Sequence, residues 1–427
     1  MTVRGLRPPA QALDSMRTGR HVIIGASAAG VSAAMASRRV GFTGEVVVVG
    51  AERHPPYERP PLSKKVIDVD DVESALSPIV PEEQLRSNQV ELRLGLRIQA
   101  IDPSAGTVLL DDGEALPADS VLLATGASPR RLRIPGSDLE GICYLRTADD
   151  ARELGRRLRS QAPVVVVGAG FIGLEVAAVA RQLGRDVTVV ESLRQPLLRA
   201  GGPLLGSVFA AVHREHGVRL LLDSGVTAFR GAGGVVEAVE LAEGRTIPAA
   251  TVVVGIGVRP ETGLAATAGV VVVDDGVIVD QHGRTSLPWL FAAGDVASRP
   301  HVHCPAPRVR IEHWNNALYQ GAAVGRTMAG QPSTDDSVPY FWSDQYDVKL
   351  QMFGRPESTD AVVTRGDPAS RSATFLWLRD GRPVAVASMN RPREARAARG
   401  LIEKRAIVEP RLLADESVDL RRLLVTG

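Results

Sequence analysis

Short unbroken apolar runs alternate with longer stretches of helical period over the first three quarters of the chain. The runs are His21-Val22-Ile23-Ile24, Glu45-Val46-Val47-Val48-Val49, Ser120-Val121-Leu122-Leu123, Pro163-Val164-Val165-Val166-Val167, Asp186-Val187-Thr188-Val189-Val190, Thr251-Val252-Val253-Val254 and Trp289-Leu290-Phe291-Ala292. Four or five apolar residues rich in valine, bounded by turn residues, predict buried strands. Between them Ala29 to Arg38, Leu174 to Leu183 and His313 to Met328 keep a helical period. Strand and helix in alternation predict an α/β protein. From about Ser333 the pattern changes to short aromatic and alternating segments such as Tyr340-Phe341-Trp342 and Thr374-Phe375-Leu376-Trp377-Leu378, separated by polar turns. That pattern predicts a further, antiparallel α+β domain.

Two of the strand-to-helix junctions are rich in glycine: Gly25-Ala26-Ser27-Ala28-Ala29-Gly30 and Gly168-Ala169-Gly170-Phe171-Ile172-Gly173. The second has the complete nucleotide-binding arrangement, a strand, a helix and a strand ending in the acid Glu191. Gly168 permits the tight turn, Gly170 lets the backbone approach a pyrophosphate, Gly173 lets helix and strand pack closely, and the helix N-terminus offers free N–H groups. The first is less regular, with Ser27 in place of the middle glycine and Glu52 arriving slightly late as a ribose-binding acid. The turns are far enough apart to belong to two nucleotide domains. The strand ending at Ala124-Thr125-Gly126 and the one ending at Gly255-Ile256-Gly257 resemble paired crossings, so the second domain is expected to be inserted into the first.

Composition narrows the function classes. The chain has 427 residues, 44% of them apolar, and a net charge of +1 from 50 basic and 49 acidic side chains. Such a balance argues against nucleic acid as a partner. Cys143 and Cys304 are the only cysteines. They are far apart, outside any CxxC arrangement, and suggest a reducing, cytoplasmic setting without a disulfide framework. No run of about 18 apolar residues predicts a membrane span. Residues 1–20 hold Arg4, Arg7, Pro8, Pro9, Arg17 and Arg20 without an apolar core, so a flexible tail is expected, with Met16 an alternative start. No metal site is predicted; His301, His303 and Cys304 lack a fourth ligand nearby.

Several residues could carry chemistry, each beside a plainer reading. In Arg53-His54-Pro55-Pro56-Tyr57-Glu58-Arg59-Pro60-Pro61-Leu62-Ser63-Lys64 the prolines fix an extended path, so Arg59 and Lys64 are either cations held for a pyrophosphate and a redox ring or solvated charges on a surface loop. Asp295 follows Gly294 at a strand end, where an acid binds a sugar or ribityl hydroxyl, or simply closes a turn. Glu175 lies one turn inside the second helix, near the nicotinamide end of a dinucleotide or merely as an acid favoured by the helix dipole. Glu191 would accept bonds from both ribose hydroxyls and repel a 2′-phosphate, which favours NADH, although Arg194 nearby could accommodate that phosphate.

From about His21 the chain resembles the FAD-dependent ferredoxin reductases of bacterial oxygenase systems, of the putidaredoxin-reductase and dioxygenase-component type. The resemblance rests on both glycine turns, Pro60-Pro61-Leu62-Ser63-Lys64, Ala124-Thr125-Gly126, Tyr144-Leu145-Arg146-Thr147, Leu174-Glu175-Val176-Ala177, Gly255-Ile256-Gly257, Gly294-Asp295, Arg310-Ile311-Glu312-His313-Trp314 and Phe341-Trp342-Ser343-Asp344-Gln345-Tyr346. It implies two Rossmann-like dinucleotide-binding domains, glutathione-reductase-like, plus a C-terminal α+β domain. The implied division is a tail over 1–20, an FAD domain over 21–140 and 256–332, an NAD domain over 141–255 and a C-terminal domain over 333–427. By resemblance Gly25, Ser27, Ala29, Gly30, Glu52, Arg59, Lys64, Ile98, Ala124, Thr125, Gly126, Arg146, Gly257, Gly294, Asp295 and Trp314 serve a tightly bound FAD. Gly168, Gly170, Phe171, Ile172, Gly173 and Glu191 serve NADH as co-substrate. Lys64, Glu175 and Trp314 take catalytic roles, with Lys64 beside the flavin N5 and paired with Glu175.

The implied activity passes electrons from NADH through FAD, one at a time, to a small acidic two-iron ferredoxin. Arg308 and Arg310 are expected to dock it, with Arg391, Arg393, Arg396, Arg399, Lys404 and Arg405 as further basic candidates or as ordinary solvated charge. A monomer or weak homodimer is expected. The alternatives are a rubredoxin reductase or NADH oxidase on the same scaffold, and a non-enzymatic flavoprotein of the apoptosis-inducing-factor type.

Overall fold

The valine-rich runs become the centres of parallel sheets in a computed structural model that describes residues 18–273 and 276–424. The expected tail lies almost wholly outside the described residues, as does Met16. In chain order the main strands begin with β1 (Arg20–Ile24), β2 (Glu45–Gly50), β3 (Val90–Leu94), β4 (Ser120–Leu123) and β5 (Ile142–Cys143). They continue with β6 (Val164–Val167), β7 (Val187–Val190), β8 (Arg219–Leu221), β9 (Thr251–Val254) and β10 (Leu290–Ala292). The last are β11 (Tyr340–Gln345), β12 (Val348–Gly354), β13 (Ala361–Asp367), β14 (Ser372–Arg379) and β15 (Arg382–Met389). The main helices are α1 (Ala28–Arg39), α2 (Ala148–Leu158), α3 (Phe171–Gln182), α4 (Leu198–Glu215), α5 (Trp314–Met328) and α6 (Pro392–Glu403). None of the helices among the described residues is long and apolar enough to cross a membrane.

The chain divides into two units. One gathers Met1–Glu58, Ser77–Ala127 and Pro260–Ser337; the other gathers Arg59–Leu76, Ser128–Arg259 and Val338–Gly427.

The first unit is built on a sheet in the order β10-β4-β1-β2-β3, with every neighbouring pair parallel. Ile23, Val46, Val48 and Leu122 face a core shared with α1 and α5, while Val22, Ile24, Val47, Val49, Val121 and Leu123 face a second core on the other side. Burial on both faces is why these strands read as unbroken apolar runs. Helices α1 and α5 touch backbone to backbone. A Cβ added at Gly321 would stand 2.3 Å from the Ala29 carbonyl oxygen, and one at Gly325 would stand 2.1 Å from that of Ala33. Ser37 Oγ then donates to the Gly325 carbonyl at 2.8 Å. This seam sets the start of α5, and with it Trp314, against the helix that opens from the first glycine turn.

In the second unit the sheet order is β8-β7-β6-β9-β5, again all parallel. The same unit carries an antiparallel sheet, β11-β12-β15-β14-β13, covered by α6. Its core of Leu376, Leu378, Val386, Ala398, Leu401 and Ile402 explains the aromatic and alternating pattern at the end of the chain. Helix α2 begins with a complete capping box: Thr147 accepts from the Asp150 N–H, and the Asp150 carboxylate accepts from the Thr147 N–H.

Candidate functional site

In the first unit, the β1–α1 junction forms a cradle. Gly25 has φ +122°, and a Cβ there would stand 2.1 Å from the Ala124 carbonyl oxygen; one at Gly30 would stand 1.9 Å from that of Gly25. The turn is therefore closed from below by the Ala124-Thr125-Gly126 crossing. Ser27 caps α1 with φ −127° and ψ −162°, extended backbone that any residue adopts, so replacing the middle glycine strains nothing. No acid occupies the first turn of α1, which leaves its positive end matched to an anion. Thr125 Oγ1 donates to the Glu261 carbonyl at 2.8 Å and holds the crossing in place. Past the end of β2, the Glu52 carboxylate accepts from the Tyr57 hydroxyl at 2.5 Å.

Gly294 and Asp295 form a short 3-10 turn after β10, and Gln320 Oε1 of α5 accepts from the Gly294 N–H at 2.9 Å. Trp314, the first residue of α5, packs partly buried against the core of the same unit. Ile98 is half-buried on the opposite core. Gly25, Ser27, Ala29, Gly30, Glu52, Ile98, Ala124, Thr125, Gly126, Gly294, Asp295 and Trp314 thus share one unit. Arg59, Lys64 and Arg146 belong to the other.

The second cradle lies at the β6–α3 junction. A Cβ at Gly173 would stand 2.1 Å from the Gly168 carbonyl oxygen, so the crossing of strand and helix excludes any side chain. At Gly170 an added Cβ meets nothing closer than the Gly255 carbonyl oxygen at 3.9 Å. That open space over an acid-free helix N-terminus fits a pyrophosphate. Phe171 packs against Phe341 of β11 with ring centroids 4.3 Å apart and the rings tilted by 41°, and Ile172 is exposed. Glu191 does more than end a strand. Its carboxylate accepts from the Ala169 N–H at 2.7 Å and the Leu193 N–H at 2.9 Å, which closes the glycine turn itself. Gly257 has φ +95°, and its carbonyl accepts from the Arg130 N–H at 2.9 Å.

Lys64 and Glu175 meet in this second unit. Lys64 Nζ lies 2.8 Å from Glu175 Oε2, with the Glu175 side chain almost wholly buried and that of Lys64 one-fifth exposed. Proline fixes the approach: Pro60–Ser63 forms a 3-10 turn, and Lys64 Nζ also donates to the Pro60 carbonyl at 3.2 Å. Glu175 is therefore a buried ion-pair partner and lies beyond the first turn of α3. Two further donors escaped the sequence. The Ser63 hydroxyl donates to Glu175 Oε2, and the Ser343 hydroxyl donates to Oε1 at 2.5 Å. Nearby in the chain, Arg59 Nη1 donates to the Arg146 carbonyl at 2.5 Å.

The expected docking pair is unequal. Arg308 is exposed and donates to the Val279 carbonyl at 2.7 Å. Arg310 is tucked in, its side chain 9% exposed and paired with Glu312 at 2.5 Å. Both cysteines are buried, and burial pushes the Cys143 thiol up to about 11, which makes it a poor nucleophile at neutral pH.

Residues 19–321 match the pyridine nucleotide-disulphide oxidoreductase family, and residues 340–424 match the reductase C-terminal family. Rhodocoxin reductase of Rhodococcus erythropolis is 40% identical over 400 residues, 94% of this chain and 93% of that one. The ferredoxin–NAD(+) reductase component of the anthranilate 1,2-dioxygenase system of Burkholderia cepacia is also 40% identical, over 94% of this chain and 98% of its own. Among solved structures, the covalent putidaredoxin reductase–putidaredoxin complex superposes with a TM-score of 0.91 at 34% identity, covering 95% of this chain and 98% of that one.

Proposed function

The chain belongs to the pyridine nucleotide-disulphide oxidoreductase family, joined to a reductase C-terminal domain, and on that premise we propose that it moves electrons from NADH through FAD to a small two-iron ferredoxin serving an oxygenase. The observation that carries this reading is the presence of two glycine cradles, one in each unit, each opening on an acid-free helix N-terminus. We assign FAD to the Gly25 cradle, with Asp295 and Glu52 available to its hydroxyls and Trp314 to its ring. NADH is assigned to the Gly168 cradle, with Glu191 as the ribose acid. When bound, the flavin supplies the conversion of a two-electron donor into a one-electron source.

The chain's own residues hold and tune. Gly170 leaves space for phosphate oxygens. Arg59, whose Nη1 bonds the Arg146 carbonyl, supplies a fixed cation. On the resemblance alone, we propose that Lys64, anchored by Glu175 within the second unit, is the positive charge that favours a reduced, more negative flavin. An oxidase or peroxidase needing a thiol at the flavin draws no support from two buried cysteines.

For docking, the acceptor we propose has an acidic face, and Arg308 is the better placed of the two candidate arginines because its charge reaches solvent. We further propose a monomer or weak dimer in the cytoplasm. The deciding experiment titrates the purified flavoprotein with NADH without oxygen, then adds a panel of two-iron ferredoxins and rubredoxins. Bleaching of the flavin followed by reduction of a two-iron ferredoxin is expected. Failure of NADH to bleach the flavin, or transfer to rubredoxin alone, would refute the reading.

A further inference from the structure

Behind Glu175 a line of buried polar side chains continues away from Lys64, all within the second unit. Ser343 Oγ contacts Glu175 Oε1 at 2.5 Å, Gln345 Nε2 contacts Ser343 Oγ at 3.1 Å, and Gln345 Oε1 contacts His213 Nε2 at 2.8 Å. Ser343 and Gln345 alternate along β11 on its buried side, and His213 comes from α4; the three are at most 1% exposed.

The carboxylate at one end fixes the direction of every bond. An ionised carboxylate only accepts, so the Ser343 hydroxyl must donate its single proton to Glu175. Its oxygen is then an acceptor for Gln345, whose amide must turn its NH₂ toward Ser343 and its oxygen toward His213. That oxygen can only accept, so His213 must carry its proton on Nε2. His213 Nδ1 accordingly finds no partner among the described residues, as befits a bare acceptor and not an N–H donor. Burial holds the His213 pKa down at about 4, so the ring is neutral at pH 7 and a single tautomer satisfies the chain.

We propose that Ser343 is a positioning residue for the Lys64–Glu175 pair, held in register by Gln345 and His213, so that the C-terminal domain orients the cation offered to the flavin. The inference rests on the reading that Lys64 serves the flavin. No proton passes along the line, because the Gln345 amide cannot relay one without turning over. Its effect is orientational: it pins one carboxylate oxygen and leaves the other to Lys64 and Ser63.

The test uses the FAD-loaded protein and has two arms. In the first, ¹⁵N-histidine NMR at pH 7, with the His213 signal assigned by its loss in His213→Gln, is expected to show the proton on Nε2; a proton on Nδ1 overturns the chain. In the second, stopped-flow reduction of the flavin by NADH is expected to slow about tenfold in Ser343→Ala, as losing a bond to a charged group implies. NADH affinity should stay within about twofold, because Ser343 binds no part of the nucleotide in this scheme. Ser343→Thr, which keeps the hydroxyl, should restore most of the rate. The pair Glu175→Gln/Ser343→Ala should be no slower than Glu175→Gln alone. An unslowed Ser343→Ala, no rescue by threonine, or losses that simply multiply would each overturn the role. Should NADH fail to reduce the unaltered protein, the functional reading falls while the NMR arm still decides the donor chain.

Discussion

Replacing Lys64 with methionine keeps the bulk of the side chain and strands the Glu175 carboxylate. At 2.8 Å the pair's gross attraction is about 6 kcal/mol if the surroundings screen like a medium of dielectric about 20. Desolvation of both partners offsets much of this, and breaking a buried pair usually costs about 3–5 kcal/mol because one charge is left uncompensated. Here the cost belongs at or below the low end, about 2–3 kcal/mol, since the Ser63 and Ser343 hydroxyls still donate to Glu175. Spread over the unfolding entropy of the whole chain this lowers Tm by about 3 °C; if the second unit, about 240 residues, melts alone, by about 5 °C. Scanning calorimetry on Lys64→Met, Glu175→Gln and the double variant checks it. Glu175→Gln should cost less than Lys64→Met, because Lys64 is one-fifth exposed and can turn its charge to water, whereas Glu175 cannot. The double variant should recover most of the loss, having no stranded charge. A Lys64→Met melting within about half a degree of the parent, or a double variant no more stable than Lys64→Met, would refute the reasoning.

Three buried histidines predict acid sensitivity. Burial holds His21 down at about 3 and His213 and His301 at about 4, against 6.5 in an unfolded chain. As pH falls below 6.5 the unfolded state takes up these protons first, so stability falls with pH, by about 2 kcal/mol for each group at pH 5. A Tm–pH profile should steepen through this window and become shallower in His21→Leu. Glu191→Gln should narrow the preference for NADH over NADPH, read as the ratio of kcat/KM values, and loosen the Gly168 turn it closes. Gly173→Ala drives a methyl into the Gly168 carbonyl and should abolish measurable NADH binding by calorimetric titration, with FAD content retained. Thr147→Ala, which removes one half of the α2 capping box, should cost about 1 kcal/mol in denaturant unfolding. Reduction of ferredoxin should slow with rising salt while reduction of ferricyanide does not, and Arg308→Glu should affect the first more than Arg310→Glu does.

Much of this fold was legible because its signals are local. A valine run, a glycine turn and a helical period lie within thirty or so residues of one another at both cradles, and buried parallel strands advertise themselves as unbroken apolar runs. Lys64 and Glu175 could be named individually from the sequence, and their pairing came from family resemblance. The donors around them were invisible. Ser63 and Ser343 lie 112 and 168 residues from Glu175, and neither a serine closing a 3-10 turn nor one in a strand has a spacing that distinguishes a buried hydrogen-bonding partner from an exposed polar residue. Glu191 was read as a ribose acid alone, because its bond to Ala169 depends on how a strand end folds back over a turn 22 residues earlier. Ser27 looked like a weakness only while its backbone angles were unknown.

The sheet order β10-β4-β1-β2-β3 also has a consequence for how the protein is made. Strand β10 closes the first unit's sheet against β4, and the seam of α1 with α5 comes later still, yet Ser128–Arg259 belong to the other unit. On the ribosome the first nucleotide cradle must therefore wait, with its edge strand unpaired and its α1 face uncovered, until the intervening segment has emerged. The second unit waits in turn for Val338–Gly427, which bring Ser343 to Glu175. Neither unit can be excised as one continuous stretch of gene, and truncation near residue 330 should leave a chain that depends on chaperones to stay soluble.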